Sequence, residues 1–311
     1  MPKLGFLLPT RERIMEGRHE TGPLLALAET AEGLGFDSIW VGDSLTARPR
    51  HEPLALLAAV AGRARKAELG TAVLLPALRN PVLLAHQAAT LDQLCEGRLI
   101  LGIGIAADTP SIRRDFAAAG VPFDKRVGRM NEAMRLCRAL WRGQPVDWTG
   151  LWTVKQGTVG PLPHRPGGPP IWYGGFLPEG RARTGRLYDG WFPSQPRPEE
   201  YAAQFEDVRS AARAARRDPM AITPAIYLIL AIDDDPARAE ARMDDYLERY
   251  YSMPAAVTRA RERCFAGTEA AAAAWIKSYA DAGASHILLR FAGDNERHLA
   301  IAHRIRRGLG W

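Results

Sequence analysis

Cysteine and lysine are scarce in this chain, and a long apolar run is missing. Only three cysteines, Cys95, Cys137 and Cys264, occur among 311 residues, far apart and without a CxxC pair. That excludes a disulfide framework and suits a reducing, cytoplasmic setting. None of the five lysines, Lys3, Lys66, Lys125, Lys155 and Lys277, falls at the end of a strand-like run, which argues against a Schiff-base enzyme. No stretch approaches the roughly 18 consecutive apolar residues of a membrane span. Residues 4–8 form only a strand-length apolar run with no basic lead, so no secretory leader is expected and the protein is read as soluble. The seven histidines make no HExxH or HxH pair beside an acid, which disfavours a metal hydrolase, and no metal is expected. His86 and His298 fall inside helical patterns and read as helix residues. GxSxG and P-loop patterns are absent as well.

Arginine is abundant instead. Thirty-six arginines against five lysines leave a formal charge of +6 and a pI near 9.4. Such a bias either serves planar, bidentate contact with phosphate or carboxylate or reflects codon usage alone. The run RSAARAARR at 209–217 spaces its arginines as on a solvated helix face, with no interleaved aromatics. No nucleic-acid partner is therefore expected.

Residues 70–104 carry the organisation most clearly. An apolar run at 70–75 suits a strand buried on both faces, and Pro76 ends it. Asn80 is placed to cap a helix with Pro81 at its first position. Val82, Leu83, Ala85, His86, Ala89, Leu91 and Leu94 recur at helical spacing, and Gly97 follows the last turn. A second strand at 98–105 completes the unit. The connection is too long for a hairpin, so the two strands should be parallel.

Strand-like runs recur near Leu4, Phe36, Gly70, Leu99, Pro170, Gly190, Thr223 and Ser285. Helical patterns lie between them at 23–34, 53–65, 81–95, 124–141, 178–187, 199–217, 236–250 with 268–282, and 295–307. Eight alternations predict an α/β fold of the (β/α)8 TIM-barrel type with insertions, an open doubly wound sheet being the competitor. One domain over 1–311 is expected, with a hairpin insertion at about 145–165 and a helical insertion at about 252–267. The proline-rich stretch 161–170 reads as a stiff surface loop rather than a boundary.

In such a barrel, function collects at the strand C-termini. Small and hydroxyl residues gather there: Asp43 and Ser44 after the second strand, Gly102 and Gly104 at the fourth, Gly174 and Gly175 at the fifth, Trp191 and Ser194 at the sixth. A mouth of this kind has room for a flat ring. Gly174 and Gly175 precede a helix and either aim N–H groups at a phosphate or simply make the turn. Arg126 and Arg129 either pair with the same anion or form surface ion pairs. Gly102-x-Gly104-x-x-Ala107 imitates a dinucleotide fingerprint, yet Asp108, Thr109 and Pro110 stand where a helix should begin. Close backbone approach at a strand end is the better use of those glycines. The connections at 45–53, 106–123 and 145–160 read as lids, whose Phe123, Trp148 and Trp152 either bound an apolar substrate pocket or pack.

The segments GFDSIWVGDSL (35–45), 70–104, RVGRMNEAMRLCRALW (126–141), PPIWYGG (169–175) and DGWFP (189–193) together resemble the luciferase-like flavin-dependent monooxygenase superfamily, including its deazaflavin (F420) branch. The likeness is strong to about residue 195 and a matter of layout beyond it. It implies a barrel that binds FMN or F420 at the strand C-termini, with a bulge and a non-prolyl cis peptide at Ala72–Val73 behind the ring. It also implies a phosphate site on Gly174 and Gly175, helped by Arg126 or Arg129. Many relatives carry a histidine after the second strand; this chain has Asp43 and Ser44, which become the candidates for acid–base chemistry. The resulting expectation is an oxidoreductase using reduced FMN and O2 to oxygenate a small organic substrate. F420-dependent hydride transfer is the alternative, and a non-catalytic flavin-binding protein or a lyase or isomerase of phosphorylated metabolites stand behind it. A flavin reductase as supplier and a homodimer or larger assembly accompany the resemblance.

Overall fold

Seven of the eight apolar runs, followed along the chain, pair in parallel with the next, and the eighth returns to the first. The computed structural model describes residues 1–311. Its barrel strands are β1 Lys3–Leu7, β2 Ser38–Val41, β3 Glu68–Thr71, β4 Leu99–Ile103, β5 Ile171–Tyr173, β6 Gly190–Trp191, β7 Thr223–Ile232 and β8 His286–Phe291. β8 closes on β1 through Leu4 opposite Ile287, so the eight strands form a closed ring and the fold is a (β/α)8 barrel.

Alternation along each strand builds two apolar layers. On β1, Phe6 packs outward beneath the helices while Leu7 points into the barrel. The interior is filled by Trp40, Trp172, Phe192, Ile100, Ala225 and Leu288. Glycine makes room for the indoles: a Cβ at Gly70 would overlap the Trp40 ring, and one at Gly190 the Trp172 ring. The Trp40 ring lies 5.5 Å from Trp172 and 4.9 Å from Phe192 between centroids. Its Nε1–H donates to Ser38 Oγ at 2.7 Å, and Ser38 Oγ lies 2.7 Å from His286 Nε2. Ser38, Trp40 and His286 thereby satisfy one another at the barrel's lower end.

The helix Pro81–Leu94 starts where Asn80 Oδ1 accepts from the N–H groups of Val82 at 2.9 Å and Leu83 at 3.3 Å. Residues 145–165 contain an antiparallel hairpin, Val146–Thr149 with Thr153–Gly157. Three segments differ from their expected form. β3 stops at Thr71 instead of running to 75; Ala72–Val73 is a cis peptide, and beyond it Leu74 makes only an isolated bridge to Ile103. The connection 106–123 contains a helix, Pro110–Ala118, capped by Thr109. The stretch 252–267 is helical only at Ala255–Arg259 and ends in a strand, Cys264–Gly267, paired in parallel with Ile229–Ile232 of β7. β7 has ten residues and its neighbour β6 only two. The added strand covers the edge that β6 leaves open.

Candidate functional site

One cleft of about 670 Å³ opens at the strand C-termini, with walls from seven of the eight strands and the connections after them. Its floor is made of small groups. Ala72, Val73, Gly104 and Gly174 line it, together with one large side chain, Phe192. A Cβ on Gly104 would come within 2.5 Å of Val73 Cγ2, and one on Gly174 would sit 3.7 Å from Val73 Cγ1. Val73 thus packs into the notch these two glycines leave. Gly102 lies below the floor and outside the cleft; a Cβ there would overlap the Thr71 carbonyl, and its own carbonyl accepts from Thr71 Oγ1 at 2.8 Å. That glycine closes β3 onto β4.

One end of the cleft is built for an anion. The Gly174 N–H is already engaged by Ile103 O at 3.0 Å, so it is part of the sheet. The N–H groups of Gly175, Phe176 and Leu177 have no acceptor within the chain, and they lead into the ten-residue helix Pro178–Leu187. Unpaired N–H groups at a helix start favour a phosphate. Arg126 and Arg183 line the same end. Arg126 is steadied by Ile105 O at 3.0 Å and by the Phe123 ring 3.8 Å from its guanidinium carbon, Arg183 by Tyr173 OH at 3.0 Å. Arg129 is elsewhere: it donates to Ala77 O and lies over Trp152 of the hairpin. Trp191 is buried behind the loop, donating to Gly175 O at 3.0 Å and stacking on Phe205. It shapes the anion end without lining it.

Asp43 and Ser44 both line the cleft, but their polar atoms are engaged in holding the fold. The Asp43 carboxylate, only 1% exposed, takes both Nη atoms of Arg79, at 2.5 and 3.1 Å, and the Leu75 N–H at 2.9 Å. Ser44 Oγ donates to Asp115 Oδ2 at 3.1 Å and accepts from the Arg48 N–H. Asp115 also accepts from the Thr46 N–H at 2.6 Å, Thr46 Oγ1 at 2.7 Å and the Ala47 N–H at 2.7 Å. Burial raises the Asp115 carboxyl, and the hydrogen bonds from Thr46, Ala47 and Ser44 outweigh it, leaving its pKa below the usual value. The aromatics expected around a substrate stand outside the cleft: Phe123 packs on Phe116, and Trp148 donates to Glu132.

Sequence reasoning passed over the opposite end. There Arg48, Arg50, Arg290, Glu262, Tyr227, Tyr250 and Tyr251 line the cleft beside Ser194. Burial raises the Glu262 carboxyl above the ordinary range, with Ser194, Arg290 and Arg48 acting in the opposite direction. Burial likewise holds the Tyr227 and Tyr246 phenols well above the tyrosine value despite the Arg290 charge. One signal was legible: Arg290 interrupts the apolar strand HILLRF. A lone charge in a buried strand asks for a reason. Glu262 sits in a connection whose sequence carries no comparable mark.

A closed (β/α)8 barrel with one large cleft at its strand C-termini is the class that fold and site define. The family model for luciferase-like monooxygenases matches residues 2–307, and the chain belongs to that family. It is similar to the phthiodiolone/phenolphthiodiolone dimycocerosates ketoreductase of Mycobacterium sp. (strain JLS), 36% identical over 66% of this chain and 54% of that protein. It is also similar to the F420-dependent glucose-6-phosphate dehydrogenase of Mycolicibacterium smegmatis, 34% identical over 70% of this chain and 66% of that one. The matches span less than two thirds of these relatives' lengths. Among solved structures, an F420-dependent secondary alcohol dehydrogenase with an F420–acetone adduct superposes with a TM-score of 0.83 at 19% identity, over 98% of both chains. Monooxygenase RslO1 from Streptomyces bottropensis gives 0.83 at 23%, over 99% of this chain and 100% of that one. At those identities the likeness is one of fold. No helix is long and apolar enough to cross a membrane.

Proposed function

We propose that this protein is an F420-dependent oxidoreductase that moves a hydride between the deazaflavin and the carbonyl or alcohol carbon of a small substrate. The carrying observation is the cleft itself: a floor of Ala72, Val73 and Gly104 continuous with an end where three N–H groups await an anion. A flat ring with a phosphorylated side chain fits that layout. F420 and FMN share it, and the relatives named for F420 and for ketone reduction favour the deazaflavin.

When bound, F420 supplies a two-electron hydride carrier. Ala72, Val73 and Gly104 then back the ring, and Gly175, Phe176 and Leu177, with Arg126 and Arg183, hold the phosphate. Reduction of a carbonyl needs one proton on the oxygen as the carbon takes the hydride. Glu262, whose carboxyl burial shifts toward the protonated form, is the group in the cleft suited to give it, and it recovers that proton from solvent. Asp43 and Ser44 position the rim and are not the acid. The expectation of FMN and O2 uses the same cleft and is the competing outcome.

The deciding experiment expresses the chain in a host that makes both cofactors, identifies what copurifies, and titrates each into the stripped protein. Micromolar affinity for F420, weaker FMN binding and anaerobic reduction of a carbonyl panel are expected. Tight FMN binding with oxygen uptake, or no affinity for either, overturns the reading.

A further inference from the structure

The cleft's far end carries more positive charge than the chain itself neutralises. Arg290 reaches it from β8 and is 2% exposed. Its Nε donates to Tyr246 OH and its Nη1 to Tyr227 OH at 3.3 Å and Tyr251 OH at 3.2 Å. Its guanidinium carbon stands 3.5 Å from the Tyr250 ring centroid. Nη2 is buried and has no partner at all. Arg50 donates its Nη2 to Tyr250 OH at 2.9 Å, while Arg11 lies over the other side of the cluster, 5.0 Å from the Tyr250 ring. Arg48 packs over Tyr251 at 4.6 Å. Against four guanidinium groups stands Glu12, 3.6 Å from Arg290 Nε, while burial disfavours the charged form of Glu262. Neutral phenols occupy the positions that counter-charges would take.

A buried cation with an idle donor is unfavourable unless something completes it. A free guanidinium edge recognises a planar or tetrahedral oxyanion. We infer that Arg290 and Arg50, framed by Tyr227, Tyr250 and Tyr251, form a subsite for an oxyanion carried by the substrate, a carboxylate or a phosphoryl group. The inference depends on the proposed function only for what lies at the other end of the cleft. The oxyanion fixes one end of the substrate and leaves its reacting carbon toward Glu262 and the floor. Burial disfavours ionisation of the Tyr227 and Tyr251 phenols, so neither opposes an arriving negative charge.

The test is calorimetric titration of the full chain, without cofactor and loaded with F420, using benzoate, inorganic phosphate and the neutral isostere benzamide. In the F420-loaded chain, where the Gly175–Leu177 end is occupied, saturable binding of benzoate or of phosphate at one site is expected, and which of the two binds tells carboxylate from phosphoryl recognition; the cofactor-free chain takes a second phosphate at the Gly175–Leu177 end. Arg290→Lys keeps the charge but loses the fork, and should weaken that binding about 10- to 100-fold while F420 affinity stays unchanged. Equal binding of benzamide, failure of both anions to bind the F420-loaded chain, or an unchanged Arg290→Lys affinity in that loaded chain each overturns the subsite. The wild-type probe comparison holds even if a variant fails to fold. Loss of F420 binding with anion binding retained would overturn the proposed function and leave this subsite standing.

Discussion

Asp43 and Glu262 show how residue type and residue role separate. Both are carboxylates on the cleft, yet Asp43 is saturated by Arg79 and the Leu75 N–H while burial leaves Glu262 reluctant to ionise. Asp43→Ala leaves Arg79 with one exposed carboxylate partner, Glu52, and the Leu75 carbonyl, and should cost about 3 kcal/mol in urea unfolding. Glu262→Gln should leave stability nearly intact and lower kcat for carbonyl reduction by about 100-fold or more. Because the raised pKa belongs to the proton donor, wild-type reduction should decline as pH rises through it, and Glu262→Gln should flatten that limb. His286 behaves differently. Burial, reinforced by the Lys3 charge, lowers its pKa to about 3, whereas the unfolded chain protonates it near 6.5. Between those values the unfolded state binds the extra proton, so stability falls as pH drops, by about 1.4 kcal/mol per unit once below roughly pH 6. His286→Gln should remove that slope from denaturation curves between pH 7 and pH 5, and an unchanged slope would assign the acid sensitivity to carboxylates.

At the scale of elements, legibility followed the local signals. The helix Pro81–Leu94 was readable because Asn80, Pro81 and Gly97 each act on the nearest backbone. The helix Pro110–Ala118 carried a similar signal, Thr109 as cap and Pro110 at the first position, but the glycines before it invited a loop reading. The strand Cys264–Gly267 had no such mark, since it exists only because β6 is short, a fact that belongs to a distant segment. The rim at 44–50 is tied down by one side chain from that unanticipated helix, Asp115, which accepts from Ser44, Thr46 and Ala47. Asp115→Ala strands those donors and should destabilise the protein by about 2 kcal/mol. More telling is the rim itself, which delivers Arg48 and Arg50. It should become a site of limited proteolysis within 44–52, and KM should rise about tenfold with a smaller change in kcat. Resistance to protease equal to wild type would show that the rim holds without this tie.

Over the whole molecule, the arginine excess could be counted in the sequence but not distributed. Many arginines form exposed ion pairs, such as Arg304 with Glu269 and Arg213 with Glu206, which contribute little. A few converge on the cleft from β8 and from the connection after β2, and only closure of the barrel brings them together. The same closure makes the cleft a joint between seven strand ends, so a ligand that fills it links distant parts of the chain. Cofactor at about 100 times its Kd should stabilise the fold by roughly 2.7 kcal/mol, raising Tm by roughly 5 °C. Gly104→Ala tests whether the floor is where that linkage acts. Its added Cβ meets Val73 Cγ2 at 2.5 Å, a side chain rather than backbone, so the barrel can absorb it by turning Val73 into the cleft. The variant should melt within about 1 kcal/mol of wild type when empty, yet bind the cofactor at least tenfold more weakly and lose most of the ligand-induced rise in Tm. If Gly104→Ala keeps the full rise, the ring does not lie on this floor.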